Sequence, residues 1–412
     1  MQYNVFLLIL PCLLNTKYEY LKRTKIIVME TKFDICFVSF SHPLRDARTI
    51  NIARLTAKKR KRVCLIAFGD ESDKRTYKSY GITFFPIEDS PNMRTVAKWA
   101  KFRLLSKKYF THTYADFYYA CDLWALAVAR DYYKDALNDD FYGLTLVYDS
   151  REIYSALGSN SGSWMKQAVI NKLEKVMIKD VDVMVTSGGL DSEYLQKYFD
   201  HELPYYVIKN LPKYRGPSDS NMLSEKLNID DSDTILIYQG EILEGRGIKI
   251  SIDTVAMLEG VHLVIVGSGP YFSEINQYVK DNNLEHKIHF TGLVPYARLH
   301  DITSSADIGL TLFEPVSKSY ELAFPNKMFE YAMARIPQIA SDLPQIRPTI
   351  ESKDIGMLAD LPLSKNDIAE KIKILLDKET RQKYKDNCDR AARDFGYNVQ
   401  SELIMSIFNK GI

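Results

Sequence analysis

Arg246 and Glu330 are the two charged side chains whose surroundings most clearly suggest chemistry. Arg246 stands between glycines in Glu244-Gly245-Arg246-Gly247, shortly after the apolar run Thr234–Tyr238. A planar guanidinium can grip a phosphate with two parallel hydrogen bonds. Gly240 follows the same run directly, where a missing side chain lets the backbone turn and a phosphate come close. A surface arginine in a glycine-rich turn is the competing reading. Glu330 follows Pro325, which can open a helix because its missing N–H would be unpaired there. That helix carries Met328, Phe329, Ala332 and Met333 on an apolar side, with Glu330 among them. A carboxylate in such a place needs a partner. The adjacent hydroxyls of a ribose would serve, as would a local cap or ion pair. Glu321, in the loop before this helix, is placed to accept from sugar hydroxyls. Two further glycine turns, Val266-Gly267-Ser268-Gly269-Pro270 and Phe290-Thr291-Gly292-Leu293-Val294-Pro295, also end apolar runs. The first can present amides to an anion, although many α/β proteins carry such a turn for packing alone.

The elements that must position these residues are strands alternating with helices. Short apolar runs occur at Phe33–Phe40, Arg62–Phe68, Leu144–Tyr148, Val181–Thr186, Thr234–Tyr238, His262–Val266, Lys287–Phe290, Ile308–Leu312 and Gln338–Ala340. Helical patterns, such as that from Ala47 to Lys59, lie between most of them. The alternation predicts parallel sheets with crossover helices. Periodicity vanishes across Lys209–Asn221, which is rich in Pro, Gly, Ser and Asn. Two doubly wound α/β domains facing each other across a cleft are therefore expected, with ligands outside the carboxyl ends of the strands. The expected units are 1–30 as an extension outside the fold, 31–208, 209–390, and a last helical segment 391–412.

The 412 residues suffice for two ordinary domains, and 46% hydrophobic content suits globular cores. Lys and Arg number 54 against 53 for Asp and Glu, which argues against a general nucleic-acid binder. Five scattered cysteines show no CxxC or His/Cys cluster, so neither a zinc site nor a disulfide framework is expected. This fits a reducing, cytoplasmic compartment. Val5–Leu14 is apolar but shorter than the roughly 20 residues of a spanning helix. Met29, just before the first strand run, is a candidate natural start. Met93–Phe110 is basic and amphipathic, with Val96, Trp99, Phe102 and Arg103 at helical spacing. It reads as a core-packed helix with a solvated basic side, or as a peripheral contact with the inner face of a membrane.

The ordered series YQG, GRGI, VIVGSGP, FTGLVP, ADIGL and PNKMFEYAMARIPQIASD resembles family 4 glycosyltransferases of the GT-B fold. The likeness covers most of residues 32–405 and is densest from Thr234 to Asp342. It implies that Arg246 binds the donor diphosphate, that Lys327 of the Pro-Asn326-Lys segment lies near it, and that Glu330 holds the nucleotide ribose. Gly292 to Val294 would lie against the base, with Gly240 and Gly267 at the turns beside the donor. Glu321 stands near the glutamate that contacts the transferred sugar, but it precedes Glu330 by nine residues, whereas the family pattern has eight; Leu322 holds the eight-residue position. On the acceptor side, Asp46 and Arg48 match a DxR entry to a helix. Asp149, Arg151 and Glu152 match a YDSHE segment in which Arg151 replaces the usual histidine. Arginine cannot act as a base; it could hold an anionic acceptor or form a local ion pair. The last segment, Tyr397–Ile412, resembles a helix that crosses back to the first domain.

The resemblance implies sugar transfer from a UDP- or GDP-linked donor to a glycan, lipid-linked or other hydroxyl acceptor, with retention at the anomeric carbon. No cofactor and no metal are expected, the cations Arg246 and Lys327 serving the leaving group. A nucleotide-sugar epimerase on the same fold and a silent sugar-nucleotide-binding scaffold are the alternatives.

Overall fold

The computed structural model describes residues 32–43, 46–59, 61–139, 141–157, 164–218 and 220–409; the expected extension over 1–30, the Val5–Leu14 run and Met29 lie outside them. Thirteen strands among the described residues form two sheets. The first holds β1 (Phe33–Val38), β2 (Val63–Phe68), β3 (Ile82–Ile87), β4 (Ala115–Ala120), β5 (Thr145–Ser150), β6 (Val183–Thr186) and β7 (Tyr205–Val207). The second holds β8 (Thr234–Gln239), β9 (Val261–Val266), β10 (Ile288–Gly292), β11 (Ile308–Thr311), β12 (Gln338–Ser341) and β13 (Gly356–Ala359). Strand order is β3-β2-β1-β4-β5-β6-β7 in one and β10-β9-β8-β11-β12-β13 in the other. All pairings are parallel. β2 and β8 are buried along their whole length, as strands covered by helices on both faces should be. In each sheet the order reverses once, between β1 and β4 and between β8 and β11. At such a point neighbouring loops diverge and leave a crevice.

Nine of the strands were expected. The other four, β3, β4, β7 and β13, give weaker local signals. β3 contains Pro86, which reads against a strand; it is tolerated because β3 is an edge and the missing N–H faces no neighbour. β4 lies beside β1, with Ile35 opposite Phe117. Its sequence runs through Cys121 and Asp122 into the helix Leu123–Asn138 without Gly or Pro, so its end is marked only by Asp122, the N-cap of that helix. β7 and β13 are edges of three and four residues.

Each sheet has its own core. The connection 208–220 carries no helix or strand among the described residues. After the second lobe the chain returns to the first. The Phe408 ring packs against Phe37, Phe117 and Tyr119 at 6.2, 5.5 and 5.8 Å. On the way, the Gln400 amide exchanges hydrogen bonds of 2.8 and 2.9 Å with the main chain of Lys209, fixing the return segment to the linker.

The basic stretch Met93–Phe110 forms the helix Thr95–Ser106 and a following 3-10 turn. Trp99 and Phe102 are buried, and the Trp99 indole N–H donates to the Trp124 carbonyl at 2.9 Å. Lys98 pairs with Asp89 and Arg103 with Asp131. The apolar side that a membrane would need is thus covered by the core, and much of the basic side is engaged within the molecule. No helix of the described residues is long and apolar enough to cross a membrane.

Candidate functional site

The loops after β1, β4, β5 and β6 face those after β8, β9, β10 and β11 across a cavity of about 820 Å³. It adjoins a hollow of about 940 Å³ that shares Leu293, Val294, Tyr296 and Glu330 with it.

Two cations converge in the second lobe. Gly245 and Gly247, at φ +75° and +66°, bracket Arg246. A side chain on either would collide, at Gly245 with the Tyr320 ring (2.9 Å) and at Gly247 with Leu312 (2.4 Å). The turn is therefore pressed against the sheet, and Arg246 extends into the cavity with Phe313 and Tyr320 each 5.8 Å from its guanidinium carbon. Lys327 is the second residue of the helix Asn326–Met333 and is only 6% exposed. Its ammonium lies 3.9 Å from the Tyr238 ring centre and has no hydrogen-bond partner among the described residues. Burial, and then the neighbouring Arg246, push the Lys327 amine well below its ordinary range, against the pull of Glu330. A helix N-terminus is itself a positive end and disfavours a cation. An anion would reverse all three penalties at once.

Glu330 lies one turn further along the same helix. Its carboxylate accepts from Gln239 Nε2, and Gln239 Oε1 in turn accepts from Thr303 Oγ1 at 2.7 Å. Burial pushes the Glu330 carboxyl up to about 7, opposed by Gln239 and Lys327. One oxygen is thus oriented by the protein while the group still lines the cavity.

The facing wall is a buried ionic network. Asp46 caps the helix Ala47–Lys58 by accepting from the Thr49 N–H (3.1 Å), as N-cap aspartates do. Arg48, 4% exposed, makes a two-pronged pair with Asp149 at 2.8 and 2.8 Å and also donates to the Ile208 carbonyl. Arg151 donates to Asp46 (2.5 Å), Thr49 (2.6 Å) and Asp149 (3.3 Å). Burial alone would raise the Asp46 carboxyl, but Arg151 and Thr49 outweigh it and hold it below the usual range. All three guanidinium nitrogens of Arg151 are therefore engaged, which favours the ion-pair alternative with Asp46 and Asp149 as the partners, while the residue still lines the cavity. Glu152, next in sequence, behaves differently. It lies in the cavity, accessible to solvent yet walled by both lobes, so burial raises its carboxyl while Arg246 across the cleft opposes that.

The structure thus brings Gly240, Arg246, Gly267, Val294, Asn326, Lys327 and Glu330 of the second lobe to one cavity with Asp46, Arg48, Arg151 and Glu152 of the first. Gly292 sits beside it, at the end of β10. Asp149 lies behind the wall and is fully buried. Gly267 answers to packing as well, since a side chain there would meet the Gly240 carbonyl at 1.9 Å. Glu321 is the exception and a correction. It ends the one-turn helix Lys318–Glu321, where residues three apart share a face, and its carboxylate pairs with Lys318 at 2.7 Å, away from the cavity. Leu322 takes the cavity position. Sequence reasoning missed Gln239, Asp122, Asp191 and Tyr296. Gln239 was visible as the residue before Gly240, but its hold on Glu330 comes from 91 positions away. Burial pushes the carboxyls of Asp122 and Asp191, which line the first-lobe side, up to about 7.

With this geometry in view, comparisons with known proteins agree on the architecture. Residues 219–395, nearly the whole second lobe, match the model of the family described as glycosyl transferases group 1. A curated relative, the phosphatidylinositol N-acetylglucosaminyltransferase GPI3 subunit of Saccharomyces cerevisiae (strain YJM789), is 19% identical over 188 residues, 43% of this chain. The matched region spans 39% of that relative's length. Among solved structures, sucrose-phosphate synthase of Thermosynechococcus elongatus superposes with a TM-score of 0.74 at 15% identity, covering 91% of this chain and 98% of that one. Anabaena HepE in complex with UDP-glucose gives 0.71 at 18% identity, covering 91% and 99%. WaaG, a glycosyltransferase involved in lipopolysaccharide biosynthesis, gives 0.67 at 14%, covering 92% and 100%. The two facing Rossmann-like lobes are those of the GT-B fold.

Proposed function

We propose that the chain is a group 1 glycosyltransferase that moves a sugar from a UDP- or GDP-linked donor to a hydroxyl of a glycan or lipid-linked acceptor, with retention of configuration. The observation that carries this reading is the Lys327 ammonium, buried with no hydrogen-bond partner among the described residues, beside Arg246 at the start of a helix. Two unneutralised cations and a helix N-terminus make a seat for a diphosphate. Glu330, oriented by Gln239 at the far side of Lys327, accepts from the ribose hydroxyls; Gly292 to Val294 lie along the base, and Gly240 and Gly267 leave room for the phosphates. HepE, which has the same fold, is described in complex with UDP-glucose, and this supports a nucleotide-sugar as the class of ligand.

The transferred sugar then lies between Arg246 and the first lobe, where Glu152 takes the role that Glu321 cannot reach. Departure of the diphosphate breaks its bond to the anomeric carbon, and Arg246, Lys327 and the first-turn amides of the helix stabilise the developing charge. The acceptor hydroxyl forms its bond from the same face, its proton passing to the departing phosphate oxygen. Product NMR checks the configuration: a retained anomer is expected, and an inverted one overturns this step.

A thermal-shift panel of UDP-glucose, GDP-mannose and ADP-glucose tests the donor site. A ligand at about 100 times its dissociation constant stabilises the folded state by about 2.7 kcal/mol. One nucleotide should raise Tm, Glu330→Ala should abolish the rise, and Glu152→Gln should weaken the sugar-bearing donor while leaving the free nucleoside diphosphate unchanged. No shift with any of the three would count against the assignment.

A further inference from the structure

On the β6 and β12 side, one side chain reaches across the cleft. Gln345 follows β12 in the second lobe and is 9% exposed. Its Oε1 accepts from the Leu190 N–H (3.2 Å), and its Nε2 donates to Asp191 Oδ1 (3.0 Å), both on the first turn of the helix Gly189–Phe199 of the first lobe. The same Nε2 donates to the Leu322 carbonyl at 2.5 Å. Leu322 closes the loop that carries Tyr320, and Tyr320 flanks Arg246. The fit is close: a methyl group on Gly188 would fall 2.1 Å from Gln345 Oε1. Gly188 itself has extended backbone (φ −135°), so it is the approach of Gln345, not the turn, that requires glycine.

Only a carboxamide can make this set. It offers one acceptor to the helix amide and two donors, one to a carboxylate and one to a carbonyl. A glutamate would lose both donors and face Asp191 with like charge.

We propose that Gln345 is a positioning residue for transfer, tying the segment 317–325 to the opposite lobe so that Leu322 and Tyr320 take their working positions on the cavity wall, facing the first lobe, only while the lobes are closed. This rests on the reading that the cavity holds a nucleotide-sugar, but the tie itself can be measured without ligand. The residue acts through the Leu322 carbonyl and the Gly189–Phe199 helix and touches no reacting atom.

The test uses Gln345→Ala, Gln345→Glu, Gly188→Ala and the double variant Gly188→Ala/Gln345→Ala in the full chain. Gly188→Ala attacks the same contact from the other lobe, so misfolding of one variant does not leave the proposal without a test. Small-angle scattering of the ligand-free proteins should show a larger radius of gyration for every variant. Turnover should fall tenfold or more, and the affinity for the free nucleoside diphosphate should stay within twofold, since that seat belongs to the second lobe alone. The double variant should be no slower than the slower single variant, because both remove one contact. Unchanged radii with turnover within twofold would overturn the proposal, as would multiplied effects in the double variant or loss of diphosphate affinity alongside turnover. If no nucleotide binds the unaltered chain, the donor reading fails while scattering still decides the tie.

Discussion

Lys327→Met should abolish most of the activity and raise the melting temperature of the ligand-free protein. Lys327 is 6% exposed, its ammonium has no hydrogen-bond partner among the described residues, and a second cation lies next to it. Methionine has nearly the same length and fills the same space against Tyr238 and Phe313 without charge. Removing one preorganised donor to developing negative charge costs about 10²–10³ in rate. Removing an uncompensated buried charge should return about 1–2 kcal/mol of stability, and each kcal/mol is worth about 2–4 °C in a domain of 150–250 residues. The pH dependence separates this account from a packing effect. Burial holds the Lys327 amine well below its ordinary value of about 10.4, so between those two values the unfolded chain binds more protons there than the folded one. Stability from this site therefore rises with pH across that window. Lys327→Met should lack this rise, so its stability advantage over the unaltered protein should shrink as pH increases across that window. Nucleotide affinity should run the other way in the unaltered protein. A bound diphosphate favours the charged amine, so binding takes up a proton and weakens as pH rises. A variant that loses both activity and stability would contradict the reading of Lys327 as a strained, ligand-seeking cation.

Much of this site could be read before any coordinates. Arg246 between two glycines and Glu330 on an apolar helix side are local patterns, and both carry their meaning in a few residues. Both point into one cavity because each follows the carboxyl end of a strand, which the alternation of elements had already implied. The failures share a cause. Glu321 was assigned by type and rough position, but a one-turn helix sets its direction, and Lys318 three residues earlier captures it. Arg151 was read with its sequence neighbours, whereas its main partner, Asp46, lies 105 positions away. Gln345 gave no signal at all, since its partners Leu190 and Asp191 lie in one distant segment and Leu322 in another. Direction and long-range pairing are tertiary facts, and a single sequence records residue types without them.

Asp149→Ala should have the opposite sign from Lys327→Met on stability. Asp149 is fully buried and accepts from both Arg48 and Arg151, so it is the shared anion of two buried cations. Breaking a buried pair by removing one partner costs about 3–5 kcal/mol, because the remaining charge stays desolvated. Arg48 would be left with the Ile208 carbonyl, and Arg151 would keep Asp46 and Thr49, so Arg48 bears most of the loss. Asp149→Asn, which retains one oxygen acceptor in the same shape, should cost less. The damage has a direction in the fold. Asp149 lies in β5, three residues before Glu152, and Ile208 opens the linker between the lobes. Below its lowered melting temperature the variant should therefore bind free nucleoside diphosphate at the second lobe as before, yet transfer slowly, with Glu152 and the acceptor wall displaced. Calorimetric melting with parallel diphosphate titration checks both halves. A melting temperature within about 2 °C of the unaltered protein would mean that Arg48 finds another anion. Lost diphosphate affinity would mean that the two lobes are not as separable as their cores suggest. The two lobes thus differ in their treatment of charge: the first pairs its buried cations Arg48 and Arg151 with carboxylates, whereas Lys327 in the second has no hydrogen-bond partner among the described residues, the arrangement that the proposed diphosphate would complete.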